Sequence, residues 1–263
     1  MTWQDWRWDP SLFGGAAPHY LAGRLPYSPG VADVLVEAVG LDGIGRLLDV
    51  GCGPGVVGRL IGHLFDEIVG IDPDAAMLEA AEAAGPIGAR WVQLRAEDLP
   101  AGLGSFRMVS FAASFHWMDR PTVAALVRDM LEPGGVVVQL HNSTPQPLQD
   151  VAEQLRVRHL GAERRAGQSV RNDSPAGEDD VFRAAGFLPM QEVAVPDGRV
   201  VDRTADDLVA YALSSSFTAP HLFADGGAAF ARELHKALSG HLRGGSVPVV
   251  LEPNTLRIWR PST

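Results

Sequence analysis

Apolar and polar positions change rhythm in blocks along the first half of the chain, short β-type runs alternating with stretches of helical period. That alternation predicts a parallel sheet covered by helices. Ser28-Pro29 opens the first helix as N-cap and first-turn proline, Val31, Val34, Leu35 and Val39 keep a 3.6-residue period, and Gly40 closes it. Strand one is predicted over 46–50, running into Gly51-Cys52-Gly53-Pro54-Gly55 and then a helix over 56–65. Strand two covers 67–71, Asp72-Pro73 bounds it, and Asp74 caps an alanine-rich helix over 75–84. Strand three spans 89–94, and strand four, over 106–112, is apolar enough for burial on both faces. Pro121 starts a helix over 122–131, Pro133-Gly134-Gly135 turns the chain, and strand five follows over 136–141.

The rhythm breaks in the second half. A helix is predicted over 148–165, a polar loop over 166–177, a short helix over 181–185 and a strand over 189–195. Thr204-Ala-Asp-Asp207 is a capping signature for a helix to about Tyr211, another helix covers 228–238, and the last strand covers 256–259. These helices fall between the last strands, so they are expected to cap the sheet. The organisation expected is a lid and helix over 1–40, a core over 41–145, and cap insertions with the last strands of the same domain over 146–263.

Composition narrows the function classes. With 263 residues and 46% hydrophobic positions the chain buries a real core, and its charges are interspersed. Twenty-two Lys+Arg against 32 Asp+Glu give a net charge of −10, with Lys236 the single lysine, which disfavours nucleic acid as a partner. One cysteine excludes an internal disulfide and fits a reducing cytoplasm. The first ten residues lack the apolar segment of an export signal, and no run of about 18 apolar residues occurs, so no membrane partner is expected. Trp3, Trp6 and Trp8 read as an interfacial anchor or as a flap packed on the domain, and the missing basic face favours the flap.

In an open α/β sheet, ligands bind beyond the carboxyl ends of the strands. Gly51, Gly53 and Gly55 clear side chains where the backbone turns towards such a ligand, and Asp72, 23 residues after Asp49, suits the two hydroxyls of a ribose. Gly53-Pro-Gly55-Val-Val-Gly58 also satisfies the dinucleotide pattern GxGxxG. Asp49 discriminates, since a fixed carboxylate there repels a pyrophosphate but attracts the ammonium of a methionine beside a sulfonium.

Five segments carry a resemblance: Leu47-Leu-Asp-Val-Gly-Cys-Gly-Pro-Gly55, Val69-Gly-Ile-Asp-Pro-Asp-Ala-Ala-Met77, Arg95-Ala-Glu-Asp-Leu-Pro100, Ser114-Phe-His-Trp-Met-Asp119 and Leu131-Glu-Pro-Gly-Gly135. In this order and spacing the chain resembles the class I S-adenosylmethionine-dependent methyltransferases, in particular the small-molecule enzymes of the type 11 kind. The resemblance covers about residues 18–141. It implies an α/β, Rossmann-like three-layer sandwich with a mostly parallel seven-stranded sheet, an N-terminal lid and helical cap insertions. S-adenosylmethionine is the implied cofactor and S-adenosylhomocysteine its product.

Carried over residue by residue, the resemblance implies that Asp49, Gly51 and Gly53 hold the methionine end, Asp72 the ribose, and Pro73 and Met77 the adenine. Relatives often end strand three in Asp or Asn; here Arg95 stands there, and the contact passes to the backbone of Ala96 and to Glu97. Ala112 lies near the sulfonium, and Tyr20 and Arg24 match a lid whose tyrosine closes on the cofactor and whose arginine takes its carboxylate.

His116, in the loop after strand four, is the first candidate general base and His141 the second; each also admits a positioning or structural role. Tyr27 and Trp117 line an acceptor pocket or pack, and Phe217 joins them from an apolar stretch of the cap. The eight histidines show no metal-ligand spacing. The expectation is a methyltransferase acting on oxygen, nitrogen or carbon of a small molecule, as monomer or homodimer. A nicotinamide-dependent oxidoreductase and a non-catalytic fold relative stand as alternatives.

Overall fold

The computed structural model describes residues 9–86, 88–170 and 177–262, so Trp3, Trp6 and Trp8 lie outside the described residues. Five strands alternate with helices as the period change predicts: β1 (Arg46–Val50), β2 (Glu67–Asp72), β3 (Arg90–Gln93), β4 (Phe106–Ala112) and β5 (Leu131–His141). Before and between them run α1 (Ala17–Gly23), α2 (Val31–Val39), α3 (Val56–Ile61), α4 (Ala75–Ala84) and α5 (Arg120–Asp129). Then come α6 (Gln149–Leu160), a short hairpin of β6 (Arg165–Ala166) and β7 (Ser169–Val170), α7 (Glu178–Ala184), β8 (Gln191–Val195) and β9 (Val200–Thr204). The chain continues through α8 (Ala205–Leu213), α9 (Ala228–Ser239), β10 (Ser246–Val250) and β11 (Asn254–Trp259).

One sheet holds seven strands in the order β3-β2-β1-β4-β5-β11-β8. Its first five strands pair in parallel, and β11 runs antiparallel between β5 and β8. Two apolar clusters cover its faces: one joins Phe111, Phe115, Phe182 and Trp259, and the other joins Leu35, Ile61, Val138 and Leu256. A third, around Leu208, Phe230 and Leu234, is the core of a cap built by α6, α8 and α9. Among the described residues no helix is long and apolar enough to cross a membrane.

Several boundaries differ from the sequence expectation. Ser28 does not cap α2: its N–H donates to Asn254 Oδ1 at 2.6 Å and its hydroxyl to the Pro196 carbonyl at 2.8 Å, so the helix starts at Val31. The predicted helix over 56–65 ends at Ile61 and tightens into a 3₁₀ turn over Gly62–Leu64. Pro133-Gly134-Gly135 does not delay β5, which starts at Leu131 with a register shift against β4. The helix predicted to 165 stops at Leu160, where Arg156 folds back on the carbonyls of Gly161 and Glu163 at 3.2 and 2.9 Å. The two-stranded sheet of β9 and β10 was not predicted.

Candidate functional site

The end of β1 shows why this sequence builds a cradle. The N–H groups of Gly51 and Cys52 both donate to the Ile71 carbonyl, at 2.8 and 3.0 Å, which curls the loop over β2. Gly51 has a φ of 68°, and a Cβ there would come within 2.5 Å of the Ser114 Cβ; at Gly53 (φ 51°) a Cβ would meet nothing within 4 Å. Glycine at these two positions keeps the turn relaxed and leaves open space above it.

Two carboxylates lie against the cradle. Asp49 is 1% exposed, its Oδ1 accepts from the Ser110 hydroxyl at 2.7 Å, and its Oδ2 is buried without a partner. Burial pushes its pKa up to about 7, the Ser110 hydrogen bond opposes that, and the nearby charge of Asp72 adds to it. Asp72 accepts from the N–H of Gly53 and of Asp74, both at 2.9 Å, yet burial still raises it to about 6. Two carboxylates desolvated in this way gain from a cationic or hydrogen-donating partner.

Above them a cleft encloses about 670 Å³ of space, part of it open solvent. Of the residues singled out in the sequence, Tyr20, Gly51, Gly53, Asp72, Pro73, Met77, Ala96, Glu97, Ala112 and Trp117 line it, with Asp49 buried beneath. Trp117 meets Phe13 edge-on, ring centroids 5.9 Å apart, so the N-terminal segment closes one wall. Glu97 is held by Arg95 at 3.2 Å and accepts from the Asp119 N–H at 2.9 Å.

A second chamber of about 800 Å³, again including open solvent, adjoins the cleft and shares Tyr20, Gly51, Ala112 and Ala113 with it. Arg24 and Tyr27 line this chamber, as does Tyr211, so the chain's three tyrosines all face one space. The Arg24 guanidinium lies 4.9 Å from the Tyr20 ring and 5.3 Å from the Tyr211 ring, donates to the Ser214 carbonyl at 2.9 Å, and keeps a buried Nε without a partner. Burial raises the pKa of the Tyr27 phenol well above its ordinary value, as it does the Cys52 thiol.

The remaining residues lie apart. His116 lines neither the cleft nor the chamber and packs on Trp117 with ring centroids 4.7 Å apart. His141 lines neither as well: its Nε2 faces Gln139 Oε1 at 3.2 Å, and burial, with Arg257 adding, holds its pKa below the usual imidazole range. Phe217 lines a separate cavity in the cap, with the Arg164 guanidinium 4.3 Å over its ring. Sequence reasoning missed Asn142, Thr144 and Gln146, which line the chamber from the loop after β5. The rule that found the other loops, position at a strand's carboxyl end, reaches them too.

Comparison with known proteins bears on this arrangement. A family model for a methyltransferase domain matches residues 47–135. An uncharacterized methyltransferase of Mycobacterium tuberculosis is 31% identical over 189 residues, 70% of each chain. A malonyl-[acyl-carrier protein] O-methyltransferase of Enterobacter lignolyticus is 35% identical over 130 residues, 48% of this chain and 50% of that one. The solved DhpI–SAH complex shares the fold at a TM-score of 0.52 and 18% identity, covering 97% of this chain and 95% of that chain.

Proposed function

Because the chain belongs to the S-adenosylmethionine-dependent methyltransferases, we propose that it methylates an ionised oxygen, that of a carboxylate, on a small molecule held in the chamber beside the glycine loop. One observation carries this reading. Among the described residues the chamber lining includes no imidazole, carboxylate or lysine, and two of its titratable groups, Tyr27 and Cys52, are held protonated. Such a lining donates hydrogen bonds and offers no base, so it suits an acceptor that arrives unprotonated. A carboxylate, with an ordinary pKa of about 4, does so at neutral pH.

The residues fit the donor. The unpartnered Oδ2 of Asp49 suits an ammonium, the space over Gly53 suits a close backbone approach, and both Asp72 oxygens keep lone pairs for a ribose. Pro73, Met77, Ala96 and Glu97 offer walls for an adenine, and the free Nε of Arg24 suits the methionine carboxylate. When bound, S-adenosylmethionine would supply an electrophilic methyl carbon to the acceptor oxygen, with the carbon–sulfur electron pair kept by the departing S-adenosylhomocysteine. The protein contributes alignment and exclusion of water, and orientation alone is worth roughly 7–11 kcal/mol of barrier. Tyr20 and Arg24 close the lid side, and Ala112 and Ala113 leave the junction between cleft and chamber free of bulk. His116 and His141 have no proton to move in this scheme. The named O-methylation of the malonyl relative agrees with an oxygen acceptor.

Donor labelled in its methyl group, offered with carboxylic acids, phenols and amines, tests the reading. Base-labile label, the mark of a methyl ester, is expected from the acids, and His116→Ala is expected to change kcat by less than about threefold. Label in amines instead, or a loss on His116→Ala nearer the roughly 10²-fold of a missing general base, overturns it.

A further inference from the structure

We infer that the cavity between α6 and α8 receives the apolar body of the acceptor, so that the substrate is an elongated amphipathic acid and not a compact polar one. This rests on the carboxylate reading above and extends it. The cavity encloses about 850 Å³, open solvent included, and Leu148, Ala152, Leu208, Ala212 and Leu238 form its apolar walls.

The polar groups around it are already engaged by the protein. Ser215 donates its hydroxyl to the Tyr211 carbonyl at 3.2 Å, and Thr218 donates to the Ala212 carbonyl. Arg156, 1% exposed, makes a two-pronged pair with Glu153 at 2.8 and 3.0 Å and turns its remaining N–H groups to the carbonyls of Gly161, Ala162 and Glu163. The remaining polar side chains stand at the solvent rim: Gln149 and Asp150 are exposed, and Arg164, half exposed, faces Glu153 at 4.0 Å and lies over Phe217. An interior whose hydrogen bonds are spent recognises hydrocarbon and little else.

Its position links it to the methyl-transfer chamber. Tyr211 lines both spaces, and the loop after β5 passes between them, Gln146 lining the chamber and the next residue, Pro147, lining the cap cavity. At that seam the Gln146 side chain is 8% exposed with its Oε1 buried and unpartnered.

The test uses straight-chain carboxylic acids from acetic to dodecanoic, below their aggregation concentrations, titrated by calorimetry into the enzyme saturated with S-adenosylhomocysteine. The same acids are assayed with labelled donor. Affinity is expected to rise about three- to fourfold per methylene until the cavity is filled. Ala152→Phe and Leu148→Trp, made separately, are expected to flatten that dependence while the Kd for S-adenosylhomocysteine, the measure of an intact fold, stays at the wild-type value. Affinity independent of chain length, or a dependence that both substitutions leave intact, overturns the inference. Length-dependent binding that the substitutions abolish, without methylation of any acid, leaves the cavity assigned and sinks only the carboxylate reading.

Discussion

At the scale of single residues, Asp49 does two opposed things. Its carboxylate is desolvated enough to sit at about 7, and Asp72 at about 6, against an ordinary 3.8. A folded-state pKa raised this way means the native protein holds protons that the unfolded chain has released. Stability from these groups is therefore complete below about pH 4 and lost as pH rises through 6 and 7. Asp49→Asn removes that loss, so its melting temperature should exceed the wild type's at pH 8 and match it near pH 4. In the proposed site it also removes the partner of the ligand ammonium, so calorimetry should show S-adenosylhomocysteine binding weakened by at least about tenfold. With Asp49 holding the ligand ammonium as proposed, binding should expel the proton and affinity should climb between pH 5.5 and 8; a flat profile would refute the assignment. The identity of these residues was legible in the sequence, because a carboxylate at a strand end before a glycine turn has few physical reasons to be there. Their neutral tendency was not, since it depends on burial by Ser110, the loop and each other.

At the scale of elements, periodicity located strands buried on both faces well: β1 and β4 begin and end where the apolar runs do. It failed where pairing is distant in sequence. β9 meets β10 across some forty residues, and Pro248, which reads as a breaker, is accommodated within β10 opposite Asp202. The same distance hides how α1 is held. Gly23 lies so close to α8 that a Cβ would stand 2.5 Å from the Tyr211 nitrogen, and Arg203 donates to the carbonyls of Gly23, Ala22 and Asp207 at 2.5, 3.3 and 3.1 Å. Arg203→Met keeps the packing volume but strands those carbonyls. Urea denaturation should show a loss of about 2 kcal/mol or more. Because Tyr20 lies in α1 and Arg24 caps it, affinity for S-adenosylhomocysteine should fall with it if they hold the cofactor as proposed. Full stability in the variant would mean that α1 is held by Gly23 packing alone.

At the scale of the whole molecule, the pieces around the cleft come from distant parts of the chain. Arg24 bonds Ser214 and Arg203 bonds Gly23 across separations of 190 and 180 residues, and the His221 N–H donates to the Gly14 carbonyl at 3.2 Å. The glycine loop and Asp72 make one wall, the N-terminal segment with Phe13 and Tyr20 another, and Tyr211 joins the chamber to the cap. A ligand touching all three walls ties their opening equilibria together, since each must close for the others to keep their contacts. Saturation at about 100 times Kd stabilises the folded state by about 2.7 kcal/mol, enough to slow local opening wherever opening breaks the site. Hydrogen exchange followed by mass spectrometry should therefore show protection on adding S-adenosylhomocysteine in three separated stretches: 11–24, 50–77 and 209–221. Protection confined to 50–77 would mean that the lid and cap do not close on the cofactor. Tyr20 and Arg24 would then have no part in holding it, and the seam at Tyr211 would respond to the acceptor alone.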